Sequence, residues 1–270
     1  MFERLCRSAP KEHMGTRVKS DGDIAKLAEL GKRHADVLAR LRAAAQPGVT
    51  TAELETLACT FIAEHGDRPA FKNYRPHGAP RPFPCALCVA PNTVVVHGIP
   101  TDPVYTLREG DIVGLDVGVE CDGLFIDAGC TVPVGTIDAA AERLLAVTKE
   151  ALRRGIAAAR SGMRTGDIGH AIETYVRGEG YGLVRDLCGH GVGYAVHEDP
   201  QVPNYGEPGV GDRLVPGMVL AIEPMVNEGS GAVRFDRNWY TVHTRDQSRS
   251  AHFEHDIVIT DGEPIVLTQW

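Results

Sequence analysis

The chain has 270 residues, of which 43% are hydrophobic and 24% charged, and these ordinary globular values exclude a disordered chain, a collagen-like fibre and a coiled coil. Its longest largely apolar run, 89–96, includes proline, asparagine and threonine and is far shorter than the ~20 residues that a membrane-spanning helix needs. Twenty-eight basic side chains stand against 36 acidic ones, and this formal charge of −8 argues against a nucleic-acid partner.

The N-terminal segment carries no periodic pattern and no apolar stretch typical of a secretory signal. We therefore predict a flexible tail over 1–17, a single domain over 18–270 and a cytoplasmic location. Seven scattered cysteines suit a reducing compartment better than a disulfide framework. Cys85 and Cys88 form an isolated C-x-x-C pair, which we interpret as ordinary thiols because no second pair completes a zinc site.

Helical periodicity is visible in the first part of the chain over 24–41. Thr50 and Glu53 then form a capping-box pattern that predicts the start of a second helix. Residues 71–91 are rich in proline, arginine and glycine, and we predict a loop there. Strand-like runs follow this loop at 93–96, 111–119 and 124–134.

The second part of the chain repeats this order. Helical patterns over 145–159 and 168–175 precede strand-like runs at 218–222, 239–243 and 256–259. Segment 48–54 (GVTTAEL) resembles 162–168 (GMRTGDI) at an offset of 114, and 110–116 (GDIVGLD) resembles 217–223 (GMVLAIE) at an offset of 107. Chance similarity of short segments is one explanation. We favour a duplicated α+β architecture with halves at about 18–135 and 136–270.

Asp116 and Asp127 flank an Asp-Gly turn signal at 121–123, which predicts a hairpin. If residues 121 and 122 form its tip, the two aspartates lie directly opposite each other. If residues 122 and 123 form it, they are diagonal neighbours on the same face. Either register brings two like charges within about 5–8 Å, an arrangement that favours a bound cation. Two solvent-facing carboxylates are the alternative for this hairpin taken alone.

Further candidate metal ligands occur beside apolar strand or glycine sequences. Glu223 ends an apolar run and Glu254 leads into a β-branched one, where a carboxylate is unusual unless it is paired or liganded. His190 lies between glycines, which allow a close approach of backbone or ligand. With the two aspartates, this oxygen-rich set matches two divalent ions that share bridging carboxylates, and it argues against a structural zinc site.

Two more histidines, His97 and His197, each follow a short apolar run and are candidate functional residues. A histidine at the end of a strand is more often a hydrogen-bonded structural residue, so their position alone assigns no role. The same reasoning leaves five further histidines unassigned: His77, His170, His243, His252 and His255.

Five motifs occur in one order along the chain: 92–100 (NTVVVHGIP), the two aspartates eleven residues apart, 188–193 (CGHGVG), 222–225 (IEPM) and 253–255 (FEH). Together they resemble the type I methionine aminopeptidases of the pita-bread peptidase family, over about 18–270. The resemblance implies a pita-bread fold, in which pseudo-twofold halves form a central curved antiparallel sheet covered by helices. It implies the short bacterial form, because His190 and Glu223 are only 33 positions apart and no Cys/His-rich module precedes the core.

The resemblance also implies a ligand set for two divalent metal ions, with Asp127 and Glu254 bridging: Asp116, Asp127, His190, Glu223 and Glu254. The reaction would be removal of the initiator methionine from nascent polypeptides, with the ions activating a water, anchoring the substrate amine and polarising the scissile carbonyl. Glu223 would take a proton from the attacking water and deliver it to the leaving amine, and His197 would donate a hydrogen bond to the carbonyl oxygen of the substrate. His97 would hold the scissile amide nitrogen or the next residue's backbone. The ligands accept Co, Mn, Fe, Ni or Zn.

Substrate binding is expected from His97, Cys88, His197 and Tyr240. The expected methionine pocket departs from the family pattern at four positions, where this chain has Pro76, Ala79, Val196 and Tyr240. Residues 81–84 look like an insertion, while Cys88 keeps its pocket position, and Phe83 or Tyr74 could refill the space. The resemblance therefore supports metal-dependent peptidase activity more firmly than methionine selectivity.

Two other functions remain open. A proline-directed aminopeptidase or dipeptidase of the same fold would carry an additional N-terminal domain, and glycine where this chain has Met225. A non-catalytic binding relative would have lost metal ligands, whereas all five are present here. The resemblance further implies engagement with the ribosome, and we expect a monomer because the sequence shows no interface pattern.

Overall fold

The computed structural model describes residues 17–76 and 78–270, so the tail predicted over 1–17 lies outside the described residues apart from Arg17. Four α-helices occur in these ranges: α1 (Asp21–Ala44), α2 (Thr51–Glu64), α3 (Ala139–Ala158) and α4 (Thr165–Gly178). The strands of the first half are β1 (Arg68–Pro69), β2 (Leu87–Pro91), β3 (Val94–Val96), β4 (Ile112–Cys121) and β5 (Leu124–Pro133). None of the described helices is long and apolar enough to span a membrane.

The strands of the second half are β6 (Gly182–Leu183), β7 (Cys188–Gly191), β8 (Glu198–Pro203), β9 (Val219–Ile222), β10 (Met225–Asn227), β11 (Val233–Phe235), β12 (Val242–Thr244), β13 (Ser250–His252), β14 (His255–Val258) and β15 (Ile265–Val266). They pair antiparallel in sheets ordered β15-β14-β9-β7-β8, β13-β10-β6 and β11-β12-β3, while β4 pairs with β1, β2 and β5. The helices pack against these sheets, with α1 on β4 and β5 and α3 on β9, β10 and β13.

The helix starts follow from local capping. Ser20 precedes α1 and accepts a hydrogen bond from Asp23 N, which satisfies one of the unpaired N–H groups of the first turn. Thr50 and Glu53 form the reciprocal capping box that the sequence predicted for α2. Most of the periodic apolar residues of both helices are buried, so the predicted helices are confirmed.

Two predictions about local structure were wrong. The loop predicted over 71–91 ends earlier, because its last residues form β2, whose apolar side chains are buried in the sheet beside β4. The strand predicted over 239–243 starts only at Val242. Before it, Asn238 Oδ1 accepts hydrogen bonds from Tyr240 N and Thr241 N and stabilises a turn, and Trp239 takes a positive φ of 76° there.

The internal repeat has a counterpart in the hydrogen bonds. Gly48 N donates to Leu107 O at 2.8 Å, and Gly162 N donates to Leu214 O at 2.9 Å. Each leucine N donates in turn to the residue after the glycine, at 2.8 Å in both halves. The glycines are offset by 114 and the leucines by 107, the two offsets of the sequence repeat. In both halves the start of the second helix is therefore hydrogen-bonded in the same way to the segment that precedes a buried strand, β4 in the first half and β9 in the second.

Candidate metal centre

The observed pairing of β4 with β5 selects one of the two hairpin registers that the sequence allowed. Cys121 pairs with Leu124, so residues 122 and 123 form the tip, with positive φ angles of 51° and 78°. Asp116 pairs with Gly129, and Asp127 pairs with Gly118. The two aspartates are thus diagonal neighbours on one face.

Glu223 and Glu254 occupy a gap between two strand ladders. Ile222 of β9 pairs with His255 of β14, and beyond the gap Met225 of β10 pairs with His252 of β13 in the same register. Pro224 lies in the gap and has no N–H with which to continue the ladder. Glu254 N donates to the Gly129 carbonyl at 2.8 Å, which attaches this segment to β5. The two glutamates are therefore held next to the hairpin aspartates.

His190 lies on β7 with its Nδ1 2.9 Å from the Gly191 carbonyl oxygen, so Nδ1 carries the proton and Nε2 keeps its lone pair. Nε2 is 3.5 Å from Glu223 Oε1. A side chain at position 191 would lie 2.4 Å from the Asp199 carbonyl, so the glycine is required for close backbone packing. Burial lowers the pKa of His190 to about 4, which keeps the imidazole neutral and able to bind a metal.

The donor atoms form two groups that share Glu254. Asp127, His190 and Glu254 make one group, Asp116, His252 and Glu254 make the other, and the donor atoms in each lie within 4.8 Å of one another. Three buried atoms of these two groups have no hydrogen-bond partner among the described residues: Asp116 Oδ1, Asp127 Oδ1 and His252 Nε2. Buried polar atoms normally have a hydrogen-bond partner. The two carboxylate oxygens and the imidazole nitrogen that lack one are therefore suitable ligand atoms for a pair of divalent metal ions.

The electrostatics of the site lead to the same conclusion. Burial and the charge of Glu223 raise the pKa of Asp116 to about 8. Burial and the neighbouring carboxylates raise the pKa values of Asp127 and Glu254 well above their ordinary range. Without a cation the protonated forms of these groups are favoured, because their negative charges would be close together and poorly solvated. Two divalent ions would replace those protons and stabilise the carboxylates.

His252 is the member of the site that sequence reasoning missed. It precedes Glu254 by two residues, the spacing of one strand face, and this was the available signal. His255 stacks on Trp270 at 4.6 Å between ring centroids, His243 lies 3.4 Å from Asp236, and His170 is on the exposed part of α4. His77 lies outside the described residues.

His97 and His197 lie beside the donor groups. His97 follows β3 with a positive φ of 57°, and burial together with the nearby His190 lowers its pKa to about 4. The His197 ring centroid is 4.3 Å from that of His190, and its Nδ1 is 2.9 Å from the Tyr74 hydroxyl oxygen. The structure therefore brings all the predicted histidines of the site together.

An apolar cluster adjoins the metal ligands and is called the pocket cluster below: Ala70, Phe71, Ala79, Phe83, Cys85, Cys88, Ile99, Val196 and Tyr240. Cys88 of β2 pairs directly with Asp116 of β4, which connects the cluster to the site. Phe83 and Tyr240 pack edge to face with ring centroids 5.1 Å apart, and the Tyr240 hydroxyl donates to the Arg81 carbonyl at 2.5 Å. Phe83 thus lies in the cluster, and Tyr74 packs at its edge.

The model of metallopeptidase family M24 matches residues 25–261. The chain belongs to metallopeptidase family M24. It is 45% identical over 251 residues to a methionine aminopeptidase of Clostridium acetobutylicum, a match that covers 93% of this chain and 98% of that one. It also matches the crystal structure of methionine aminopeptidase from Rickettsia prowazekii, at a TM-score of 0.90 and 38% identity, covering 94% of this chain and 100% of that one.

The fold of a prolidase from Pyrococcus horikoshii is also similar, at a TM-score of 0.74. Identity is 21% there, and the match covers 93% of this chain and 63% of the prolidase, so this likeness extends to the fold alone. The predicted α+β pita-bread fold with duplicated halves is confirmed for this M24 metallopeptidase. It is a metal-dependent hydrolase, and its acidic and histidine donors suit divalent cations.

Proposed function

We propose that this M24 metallopeptidase removes the N-terminal methionine from nascent polypeptides. The observation that carries the proposal is the direct strand pairing of Cys88, in the pocket cluster, with Asp116, in the donor groups. An apolar side chain in that cluster would place the adjoining peptide bond beside the donors. The similarity to methionine aminopeptidases at 38–45% identity favours methionine as that side chain.

The proposed metal ligands are Asp116, Asp127, His190, Glu223 and Glu254, with Asp127 and Glu254 bridging. Glu254 belongs to both donor groups, which supports its bridging role. Two divalent ions, whose identity among Co, Mn, Fe, Ni and Zn the donors leave open, would supply an activated water and Lewis acidity. Glu223 reaches His190 at one carboxylate oxygen and His252 at the other, at 3.5 and 3.6 Å. From this position Glu223 would accept the proton of the attacking water and return it to the leaving amine.

His197 is proposed to stabilise the developing negative charge on the carbonyl oxygen. A hydrogen bond from the Tyr74 hydroxyl to Nδ1 would place the ring proton on Nε2, which is then free to donate. His97 is proposed to hold the scissile amide nitrogen or the next residue's backbone. Burial favours its neutral form, so it can accept a hydrogen bond from an N–H group.

The proposed substrate-binding residues are His97, Cys88, His197 and Tyr240, of which Cys88 and Tyr240 belong to the pocket cluster. Val196 and Ala79 supply part of the apolar surface at positions that depart from the family pattern. Phe83 packs on Tyr240 and would compensate for the smaller side chains there. Pro76 contributes its carbonyl, which accepts a hydrogen bond from Ala79 N at 3.0 Å and shapes the loop.

The proposal extends to organisation and partners. We propose one catalytic domain over 18–270 with halves at about 18–135 and 136–270, supported by a hydrophobic core that includes residues from Leu27 to Leu267. The protein would act as a cytoplasmic monomer on chains emerging from the ribosome. The six cysteines of the described residues form no disulfide with one another, as suits a reducing compartment.

The test is a comparison of three peptides, Met-Ala-Ser, Leu-Ala-Ser and Ala-Pro-Ala, with metal-stripped protein reloaded with Mn or Co. We expect strong preference for Met-Ala-Ser, lost in Asp127→Asn and kept in Asp36→Asn, which alters an exposed carboxylate on α1. Preference for Ala-Pro-Ala would support a proline-directed peptidase and overturn the methionine assignment. Metal binding without cleavage of any peptide would support a non-catalytic relative.

A further inference from the structure

His252 points an unsatisfied nitrogen into the proposed metal centre. The residue is 3% exposed, and its Nε2 has no hydrogen-bond partner. This atom lies 3.6 Å from Glu223 Oε2 and 3.8 Å from Glu254 Oε2, beyond hydrogen-bonding distance. Donor atoms that share one ion at about 2.0–2.2 Å lie about 3–4 Å apart, so these separations match ligands of a common metal.

The imidazole is held in place by its surroundings. The Thr131 hydroxyl accepts from His252 N at 2.9 Å and donates to His252 O at 3.0 Å. The ring also lies close to Gly129, where an added Cβ would be 3.1 Å from His252 Cε1 and 3.1 Å from Asp116 Cβ. Backbone and ring are thus fixed with Nε2 facing the carboxylates, as in a preorganised site.

We propose that His252 is a sixth protein ligand of the metal pair and binds, through Nε2, the ion held by Asp116 and Glu254. This inference rests on the two-ion site of the proposed function but not on the identity of the peptide substrate. Each donor group then contains one imidazole, His190 in the first and His252 in the second, with Glu254 shared.

A nitrogen ligand changes which ion the second position prefers. Carboxylates alone suit Mg and Mn, whereas an imidazole favours Fe, Co, Ni and Zn. His252 should therefore increase the affinity for Co²⁺ and Zn²⁺ more than the affinity for Mn²⁺. Replacing it with glutamine keeps a polar side chain of similar reach and removes the imidazole nitrogen.

The experiment titrates metal-free protein with Co²⁺ and Mn²⁺ by calorimetry, with the visible spectrum of the Co²⁺ complex as a second readout. In His252→Gln we expect one of two Co²⁺ sites to weaken by about tenfold or more, with a smaller change for Mn²⁺. His190→Gln should weaken the other site. His243→Gln removes an imidazole outside the site and should change neither.

X-ray absorption of the unaltered protein loaded with two Zn²⁺ ions needs no variant. One imidazole per zinc on average supports the proposal, and one imidazole per two zincs overturns it. Two Co²⁺ sites of unchanged affinity and spectrum in a folded His252→Gln variant would also overturn it, while leaving the proposed function intact. A protein that binds no divalent ion would overturn both.

Discussion

Lys19 and Glu198 form a buried ion pair across 179 residues of sequence, with Nζ 2.6 Å from Oε2 and side-chain exposures of 1% and 2%. The other carboxylate oxygen, Oε1, accepts from Tyr194 N at 2.5 Å and from Ala195 N at 2.9 Å. Glu198 therefore closes the loop that carries His197, and Lys19, just before α1, holds that carboxylate in place. The pair joins the start of the described chain to the edge of the catalytic site.

Removing the lysine should both destabilise the protein and slow the reaction. In Lys19→Met the Glu198 carboxylate stays buried without its counter-ion, which we expect to reduce the free energy of unfolding by about 3–5 kcal/mol in urea titrations. The displaced loop should lower kcat more than it raises KM, because His197 is proposed to stabilise the transition state.

Lys32→Met is the matched control for this variant. Lys32 also forms an ion pair at 2.6 Å, with Glu29, but both side chains are exposed at 71% and 64%. Its loss should change stability by about 0–1 kcal/mol and leave kcat unchanged. Equal effects of the two substitutions would contradict a special role for the buried pair.

His34 should make stability depend on pH. Its Nε2 donates to the Val117 carbonyl at 2.7 Å, and burial lowers its pKa from 6.5 to about 4. Between pH 6.5 and 4 the unfolded chain binds a proton at His34 that the folded protein excludes. Neutral His34 thus makes its whole contribution to the free energy of unfolding above pH 6.5, and this contribution falls by ~3 kcal/mol as the pH drops to 4.

Urea titrations of the unaltered protein and His34→Gln at pH 7.5, 6 and 5 would check this. A glutamine side chain cannot take up the proton, so the variant should lose less stability on acidification, even if it is less stable at pH 7.5. Parallel pH dependences in the two proteins would assign the acid sensitivity to other groups.

Metal binding should release protons. At pH 7 a pKa of about 8 keeps the Asp116 carboxyl largely protonated in the metal-free protein, and the pKa values of Asp127 and Glu254 are also raised. Since the ions bind carboxylates, affinity should fall as pH drops from 8 to 6, by about tenfold per pH unit for each proton displaced. Calorimetry in buffers of different ionisation enthalpy measures the protons released. A binding enthalpy independent of buffer would refute the prediction.

Phe83 should determine methionine selectivity. Because it packs on Tyr240 in the pocket cluster, Phe83→Ala should raise KM for Met-Ala-Ser and reduce its preference over Leu-Ala-Ser by about tenfold, the scale of 1–3 kcal/mol in pocket packing. Tyr240→Phe removes only the hydrogen bond to Arg81 and should have a smaller effect. Phe61→Ala, on α2 away from the cluster, controls for general destabilisation. If Phe83→Ala left the preference for Met-Ala-Ser over Leu-Ala-Ser unchanged, the methionine side chain would bind outside the pocket cluster.

Local patterns in the sequence determined the helices, the hairpin and most of the site. The capping box at Thr50 and the period of apolar residues are local interactions, and they predicted α1 to α4 correctly. Alternation along a strand put Asp116 and Asp127 on one face whichever turn formed. The repeat offsets of 114 and 107 predicted a duplicated architecture, and the paired hydrogen bonds of the two halves have the same offsets.

Contacts between distant segments were decided only by the tertiary structure. The approach of His252 to Asp116, of Tyr74 to His197 and of Lys19 to Glu198 joins residues on different elements. Strand β2 was likewise not predicted, because the segment 71–91 has the composition of a loop and does not indicate that Leu87 pairs with Val117. Periodicity reports which face a residue occupies, but the partner across that face depends on how sheets and loops pack together, so these pairs could be identified only in the folded chain.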